Sequence, residues 1–509
     1  MSLIGALSIA NSGIANLGVD FAVASQNIAN ASTPGYATEV TSQTSVEAGR
    51  AGGAGVRTGA TTRQIDQQLE MELLTTNGTV SSLTTQQSAL QKIDAIQGTP
   101  GGSGDLSALL AQLQSAFVSL QTDPSNQAAQ SQVVAAAGQL TGQINALSTA
   151  YTQGRQDTQD TIVSGVAQLN SDLATIGSLS DQIVALREQG QSTADLENQR
   201  AQTMQSLSQL VSVRFIEQPN GDMLAATSSG MMLPTHFTTP PFATQPATVG
   251  PGSSYPATLP AITLNGTDIT GQIGGGQLGA AIALRDSTLP TYQAELDEFA
   301  QTLSTRFDAQ GLTLFSNPNG TIPTSAVPPT QSGYVGYAAS IGVNPAVKAN
   351  PSLVRDGTHA VAGSPGGATA FTPNPSGGPS GFTTAIQRVL AFALGGDVQD
   401  GVAQPAPAVA GLGPAGTLAA PFAPPSDLAG FATDIVSTEA GDSAAITAQT
   451  TSEQAVQSAL QAKVSASGAV NMDTEMSTML QLQNAYGANA KVITTLQSLW
   501  NDVLGMIPS

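Results

Sequence analysis

Cysteine is absent from the 509 residues. That excludes disulfides, thiolate metal sites and a cysteine nucleophile. Charge is scarce as well. Only 10% of residues are charged, where a typical soluble domain has roughly 25%. Just 15 of them are basic, scattered along a chain of net charge −20. Nucleic-acid binding needs clustered Lys and Arg to displace counterions, so that function class is set aside. The acidic balance argues for solubility. Aromatics make up 4%, with one Trp. No basic residue precedes Arg50, so no cleavable signal with a basic n-region is expected. Export, if it occurs, needs another route. No segment reads as a membrane span: the apolar stretch from Ala408 to Pro425 is broken by Pro and Gly.

Proline is missing from most of both flanks. Of 29 prolines, 24 fall between Gly230 and Gly430. Proline disrupts helix interiors, so the flanks can be helical and the middle mostly cannot. With 40% apolar residues and this length, two to four domains are expected.

The N-terminal segment has a clear period. Leu3, Leu7, Ala10, Ile14, Leu17, Phe21, Ala24 and Ile28 alternate in spacings of four and three, which predicts a heptad seam. Its flanks are small and uncharged, which suits a helix packed on several sides. The helix should stop near Asn30, because Thr33 precedes Pro34. A second helix is expected over Arg63–Gln97. A third is expected after Asp105, which can cap it, ending before Asp123-Pro124. A long helix is expected over about Asn126–Gln189, with Gly190 after its end, then another over Asp195–Val211. Asn220-Gly221 is a hairpin signal. Residues 278–310 read as helix again, residues 312–430 as loops and short strands, and 441–467 as helix.

The C-terminal helix, about 472–507, mirrors the first. Met472, Met476, Met479, Tyr486, Ala490, Ile493, Trp500, Leu504 and Ile507 follow the same spacing with interruptions at Gln483 and Gln497, and Leu482, Leu496 and Val503 form a parallel track. At 1.5 Å per residue the two end helices are roughly 39 and 54 Å long. The fold class expected is α+β, mainly α: paired N- and C-terminal coiled-coil helices, a long-helix bundle and an inserted Gly/Pro-rich β domain. The division is 1–60, axial helix and loop; 61–211, bundle; 212–280, short β region; 281–311, returning helix; 312–430, outer β/loop domain; 431–467, returning bundle helix; 468–509, axial helix.

Candidate chemistry is thin. Gly274–Gly279 matches G-x-G-x-x-G before a helix but lacks a surrounding strand–helix–strand unit, so a strand-to-helix turn is expected rather than a dinucleotide site. His236 and His359 lie in loops without a second ligand at metal spacing. No G-x-S-x-G elbow sits near a strong strand. No catalytic, cofactor-binding or metal residue is assigned.

Residues 27–36, Asn-Ile-Ala-Asn-Ala-Ser-Thr-Pro-Gly-Tyr, resemble the N-terminal signature of flagellar rod, hook and hook-associated proteins. Gln483–Thr495 resembles their C-terminal signature. Three internal stretches are similar to the hook-associated protein 1 family: Asp195–Arg200 leading to Val213, Gly275–Gly279 running into Asp286, and Ile341–Pro345. The resemblance implies a structural subunit at the hook–filament junction of the bacterial flagellum, not an enzyme. It implies an extracellular position reached by type III export without signal cleavage. Implied partners are other copies in a ring, hook protein, a second hook-associated junction protein and a cytoplasmic export chaperone on the C-terminal helix. Another axial protein, such as hook or distal rod protein, is the alternative.

The site expected is therefore an assembly surface. It comprises Leu3, Leu7, Ile14, Leu17, Phe21 and Ile28 on the first helix. The motif residues are Asn27, Asn30, Thr33, Pro34, Gly35 and Tyr36, with Tyr36 read either as part of a helix stop or as an exposed subunit anchor. On the last helix are Met472, Met476, Met479, Leu482, Tyr486, Ile493, Leu496, Trp500, Leu504 and Ile507, by default core residues whose seam doubles as an interface.

Overall fold

A computed structural model describes residues 3–33, 35–45, 55–324, 330–363, 367–396, 404 and 406–505. The chain is mainly α with small sheets. Helix α1 (Leu3–Asn30) is followed by β1 (Glu39–Val40), β2 (Gln43–Ser45), β3 (Val56–Thr58) and β4 (Thr62–Arg63), paired antiparallel as β1–β4 and β2–β3. Next come α2 (Gln67–Gln97), α3 (Leu106–Thr122), α4 (Gln127–Glu188) and α5 (Ala194–Leu210). Their starts follow from short polar side chains. Asp66, Asp105 and Asn126 each accept hydrogen bonds from the first free backbone N–H groups of α2, α3 and α4, which satisfies donors that the helix leaves unpaired.

Strands β5 (Val213–Glu217) and β6 (Met223–Thr227) form the expected hairpin and β7 (Met232–Leu233) extends it; β8 (Phe242–Ala243), β9 (Thr263–Leu264) and β10 (Thr267–Asp268) form a second small sheet. Helix α6 (Gly276–Ala283) passes through one wide π turn into α7 (Leu289–Asp308). Gly275 and Gly276 both have positive φ, and a Cβ on Gly276 would lie 2.5 Å from the Leu210 carbonyl group. The glycine-rich match thus serves a tight turn packed on the end of α5.

Residues 312–430 hold more helix than expected. Alongside β11 (Phe315–Ser316), paired with β12 (Gly342–Val343), they form α8 (Pro345–Ala349), α9 (Leu353–Asp356) and α10 (Thr384–Arg388). Asn344 caps α8 and Pro345 takes its first position, where a missing N–H costs nothing. The strands β13 (Ala410–Leu412) and β14 (Leu418–Ala419) precede α11 (Leu428–Gly468) and α12 (Met472–Gly505).

Helix α4 is 62 residues long, about 93 Å, and it crosses two apolar cores. Val133 to Tyr151 face the first, with α3, α7, the 334–354 segment and the start of α11. Ile162 to Ile176 face the second, with α5, α6 and the small sheets. A polar layer separates the cores. Arg155, 1% exposed, donates to the carbonyls of Arg285 (3.1 Å), Gly250 (3.3 Å) and Ser253 (2.5 Å). Arg285 donates to Gln159 Oε1 (2.6 Å) and holds Asp286 at 2.7 Å. Burial lowers the Arg155 guanidinium to about 10, opposed by nearby Asp286. The strap before Arg285 is laced along α4 in the same way: Asn170 bonds Phe242, Gln159 the Gln245 carbonyl and Gln156 both Ala247 and Val249.

Helix α1 is long and apolar enough to cross a membrane by length and composition. The expectation that no segment reads as a span fails on that measure, because Asp20 is the lone charge in its 28 residues. The core helix of a soluble protein passes the same test.

Candidate assembly surface and the hub beneath it

Helices α1 and α12 pack against each other and run antiparallel. Asn27 Nδ2 donates to Glu475 Oε1 (3.1 Å) near one end. Gly13 approaches Asn489 at mid-length. Leu3, Ile4 and Leu7 share a groove of about 440 Å³ with Leu496 and Trp500 at the tip. The first-helix seam is placed there as half-buried Leu3, Leu7, Ile14, Leu17, Phe21 and Ile28, with Ala10 and Ala24 buried.

On α12 the outcome differs from expectation. Met479, Leu482, Ile493 and Leu496 are half-buried, whereas Met472, Met476, Tyr486, Trp500 and Leu504 are exposed. The stripe read as core by default is split: Met479, Ala490 and Ile493 turn inward with Leu482 and Leu496, and the rest of its described residues face outward. The reason is geometric: one partner helix covers one narrow face, and α12 is apolar around much more of its circumference. Leu480, Val492, Leu499 and Val503 are exposed too, and no residue of α12 is buried. Ile507 and Pro34 lie outside the described residues.

A second face of α1 was not foreseen. Ser12, Asn16 and Asp20, four residues apart, bond the β2–β3 hairpin. Ser12 Oγ accepts from Val56 N–H (3.3 Å), Asn16 Oδ1 from Thr58 N–H (3.1 Å), and Asp20 from Thr41 Oγ1 (2.5 Å) and Gln43 Nε2 (2.6 Å). The spacing was visible, yet nothing in the sequence named their partner.

Beneath the helix pair sits a polar hub. Asn27 is 1% exposed. Its Oδ1 accepts from Glu39 N–H (2.9 Å) and Tyr36 OH (3.0 Å), and its Nδ2 donates to Glu39 C=O (2.9 Å) besides Glu475. Every donor and acceptor of the amide is used. Asn198 on α5 repeats the pattern. Its Oδ1 accepts from Ala37 N–H (3.1 Å) and Arg63 Nε (2.8 Å), and its Nδ2 donates to Ala37 C=O (3.2 Å) and Glu39 Oε1 (3.1 Å). Arg63 pairs with Glu70 at 2.9 Å. Thr38 donates through N–H (2.7 Å) and Oγ1 (2.9 Å) to the Gly468 carbonyl at the end of α11. A Cβ on Gly468 would meet Gln64 O at 2.6 Å.

Residues 36–40 are therefore tied to α1, α5 and α11 at once, and Asn27 extends the tie to α12. Thr33 Oγ1 donates to Asn30 Oδ1 (3.3 Å), and Gly35 has φ +78°; these three motif residues make the turn out of α1. Tyr36 is half-buried and bonded within its own chain, so the expectation of an exposed anchor is corrected. Burial, then the Glu39 and Asp195 charges, raise its hydroxyl pKa. Burial also raises the Glu39 carboxyl, opposed by Asn198, and the Glu475 carboxyl, opposed by Asn27. Sequence reasoning quoted Asn198 within Asp195–Arg200 but missed its role. The available signal was an Asn inside a helix, a position that residue type disfavours.

The histidines lie apart from this hub. His236 is 3.2 Å from Asp181 and bonded to Thr235, while His359 bonds Thr313 and Thr358. Among the described residues no group of three or more His, Cys, Asp or Glu is arranged to hold a metal ion.

Comparison with known proteins bears on this architecture. Residues 90–322 match the flagellar hook-associated protein FlgK helical domain, and residues 463–506 match the flagellar basal body rod FlgEFG protein C-terminal domain. Flagellar hook-associated protein 1 of Salmonella typhimurium is 29% identical over 295 residues, 56% of this chain and 52% of its own length. That of Escherichia coli K12 is 28% identical over 296 residues, 56% of this chain and 53% of its own. The chain spans about half the length of the curated relatives it matches. The structure of the flagellar hook junction protein FlgK from Burkholderia pseudomallei is 21% identical, with a TM-score of 0.39, over 50% of this chain and 45% of that one; a likeness that weak carries no argument. The matched domains are those of flagellar axial proteins. Within that class the stretches that this chain matches resemble flagellar hook-associated protein 1.

Proposed function

We propose that the chain is a structural subunit of the bacterial flagellum, forms the junction between hook and filament, and is needed for filament assembly. The observation that carries the reading is the open apolar face of α12, a helix with no buried residue, beside an α1 of almost no charge. Such a face gains most when neighbouring copies cover it. The reading includes a coiled-coil contact between the two end helices, the division into axial, bundle and outer domains given above, and the partners implied by the resemblance. Those are further copies in a ring, hook protein, a second junction protein and an export chaperone on α12. It places the protein outside the cell, exported without signal cleavage, in a structural rather than catalytic role. The hook or distal-rod alternative is not favoured, because the helical match to residues 90–322 is to a hook-associated protein.

The test is complementation of a deletion strain, read by electron microscopy. The deletion is expected to leave hooks without filaments and filament protein in the medium. Trp500→Asp, on the exposed stripe, and Ile493→Asp, on the inner one, are expected not to restore filaments, because an assembled seam would bury the new charge. Trp500→Asp should leave the monomer's circular dichroism unchanged. Normal filaments and swimming from both variants would refute the proposed surface.

The soluble monomer gives a second expectation. One helix pair with no buried residue on α12 holds its order weakly. Hydrogen exchange of residues 3–28 and 472–505 is expected to be fast in the monomer and slow in assembled material. Strong protection in the isolated monomer would contradict ordering on assembly.

A further inference from the structure

The returning helix α11 meets the bundle through carboxyl groups. Glu439 on α11 is 1% exposed, as is Glu295 on α7. Glu439 Oε1 accepts from Tyr151 OH (2.6 Å) on α4, and Oε2 accepts from Gln97 Nε2 (3.0 Å) at the end of α2. Asp442, one turn along α11, accepts from Tyr292 OH (2.6 Å) on α7, and Ser443 donates to Asp94 on α2. The titratable groups facing this layer are thus Asp94 from α2, Tyr151 from α4, Tyr292 and Glu295 from α7, and Glu439 and Asp442 from α11. Helix α3 also packs on α11 and contributes none. No Lys, Arg or His forms an ion pair with any of these carboxyls among the described residues; the nearby Lys92 pairs with Asp157.

Glu295 is the decisive member. Neither of its carboxyl oxygens has a hydrogen-bond partner among the described residues, and both are shut off from solvent. An ionised carboxylate placed there has no cation and no donor, and burial of such a charge is prohibitively costly; the group takes up a proton instead. With Glu439 and Asp442 as its electrostatic neighbours, a second ionised carboxylate in the layer raises that cost further.

We propose that Glu295 and Glu439 form a proton-loaded latch that fastens α11 to the bundle, closed at neutral and mildly acidic pH and loosened as the medium turns alkaline. The latch does not depend on the assembly reading above. Its reach does extend to the hub, because α11 runs unbroken from Glu439 to the Gly468 carbonyl that holds Thr38.

The direction of the pH effect follows from where the proton sits. Burial raises the Glu295 carboxyl to about 8, with Asp442 adding to it, and burial raises Glu439 to about 8, opposed by Tyr151. The folded chain keeps protons that the unfolded chain gives up above the ordinary glutamate range. Their contribution to stability is complete below about pH 4.5 and is lost as pH rises toward 8. Self-repulsion of a chain of net charge −20 acts in the same sense, so a control of equal charge is needed.

The experiment follows thermal unfolding of the full chain by circular dichroism from pH 6 to pH 9. It compares the wild type with Glu295→Gln, Glu439→Gln and a control of equal charge on α11, the half-buried Glu453→Gln. The wild type and Glu453→Gln are expected to lose at least ~5 °C in Tm over that range. Glu295→Gln and Glu439→Gln are each expected to lose measurably less. A wild-type Tm that stays level or rises, or a Glu295→Gln slope equal to that of the wild type, overturns the latch. Should both latch variants fail to fold, infrared spectra of the wild type decide. A protonated-carboxyl C=O band present at pH 6 and gone by pH 9 supports the latch, and absence of that band at pH 6 overturns it.

Discussion

Asn27→Ala is expected to release the segment 36–40 and detach the base of α12 while leaving both apolar cores folded. The substitution removes four hydrogen bonds from a 1%-exposed site. It leaves the Glu39 N–H and C=O and the Tyr36 hydroxyl short of a partner. Each buried group so stranded costs about 1–3 kcal/mol, so the local loss is several times the usual effect of a surface change. The global unfolding transition belongs to the cores on α4 and should move little. Hydrogen exchange separates the two levels: faster exchange at residues 36–45 in the monomer, and at 472–480 in assembled material, with 133–176 unchanged, is the expected pattern. Asn27→Asp is instructive beside it, because it keeps the acceptor for Glu39 N–H and Tyr36 but sets a carboxylate against Glu475 and the Glu39 carbonyl. It should loosen α12 more than β1. Unchanged exchange in both variants would mean that the hub does not hold the axial pair.

Gly177→Val is expected to be the more damaging change to the folded state itself. A Cβ at position 177 would sit 2.0 Å from the Thr235 carbonyl oxygen and 2.8 Å from its carbon. Both atoms belong to backbone, which cannot swing aside as a side-chain tip does. The neighbouring Ile176 is fully buried in the second core, so α4 cannot rotate to relieve the clash. Overpacking of this kind costs about 1–3 kcal/mol or more, and the strap bonded to Asn170, Gln159 and Gln156 would be pushed off α4. A clear fall in Tm and protease cleavage near 235–250 are the expected readouts. An unaltered Tm would show that the strap is not packed on the helix as described.

Much of the helical framework was legible because local chemistry decides it. Asp105 announces its helix as a capping residue, Asn126 stands where the long helix was expected to begin, Gly190 takes φ +65° after α4, and the Asn220-Gly221 turn joins β5 and β6. The start expected at Arg63 was early, because Arg63 pairs in β4 and Asp66 caps α2. The distribution of proline marked where long helices stop. The misreadings share a different cause. In 312–430, proline was taken as a breaker, yet at Pro345 it opens a short helix, a matter of position rather than identity. On α12 the sequence displays more apolar surface than a single partner can cover, so periodicity alone did not say which track faces α1. The seam with the larger side chains was expected as the core; the structure turns only its Met479, Ala490 and Ile493 inward, together with Leu482 and Leu496 of the parallel track. Nor did the pattern reveal that α4 serves two cores with a layer of arginine between them, since the buried Arg155 looks like any surface arginine in a one-dimensional string. The hub was half legible. Asn27 and Tyr36 stood out through a resemblance, but Glu475, which Asn27 bonds, and Asn198, which holds Ala37 and Glu39, lie 448 and 171 positions from Asn27, a separation that no local rule spans.

The stitching of residues 36–40 has a mechanical consequence. A tug on α12 reaches this short strand through Asn27, a tug along α11 reaches it through Thr38, and α5 anchors it through Asn198. Bonds from three directions converge on five residues, so strain entering from either extremity is shared among them before any single link must yield. Load applied to the rod-like ends would then be grounded at this knot, and the interior around Tyr151 and Glu439 would be spared until the knot gives way.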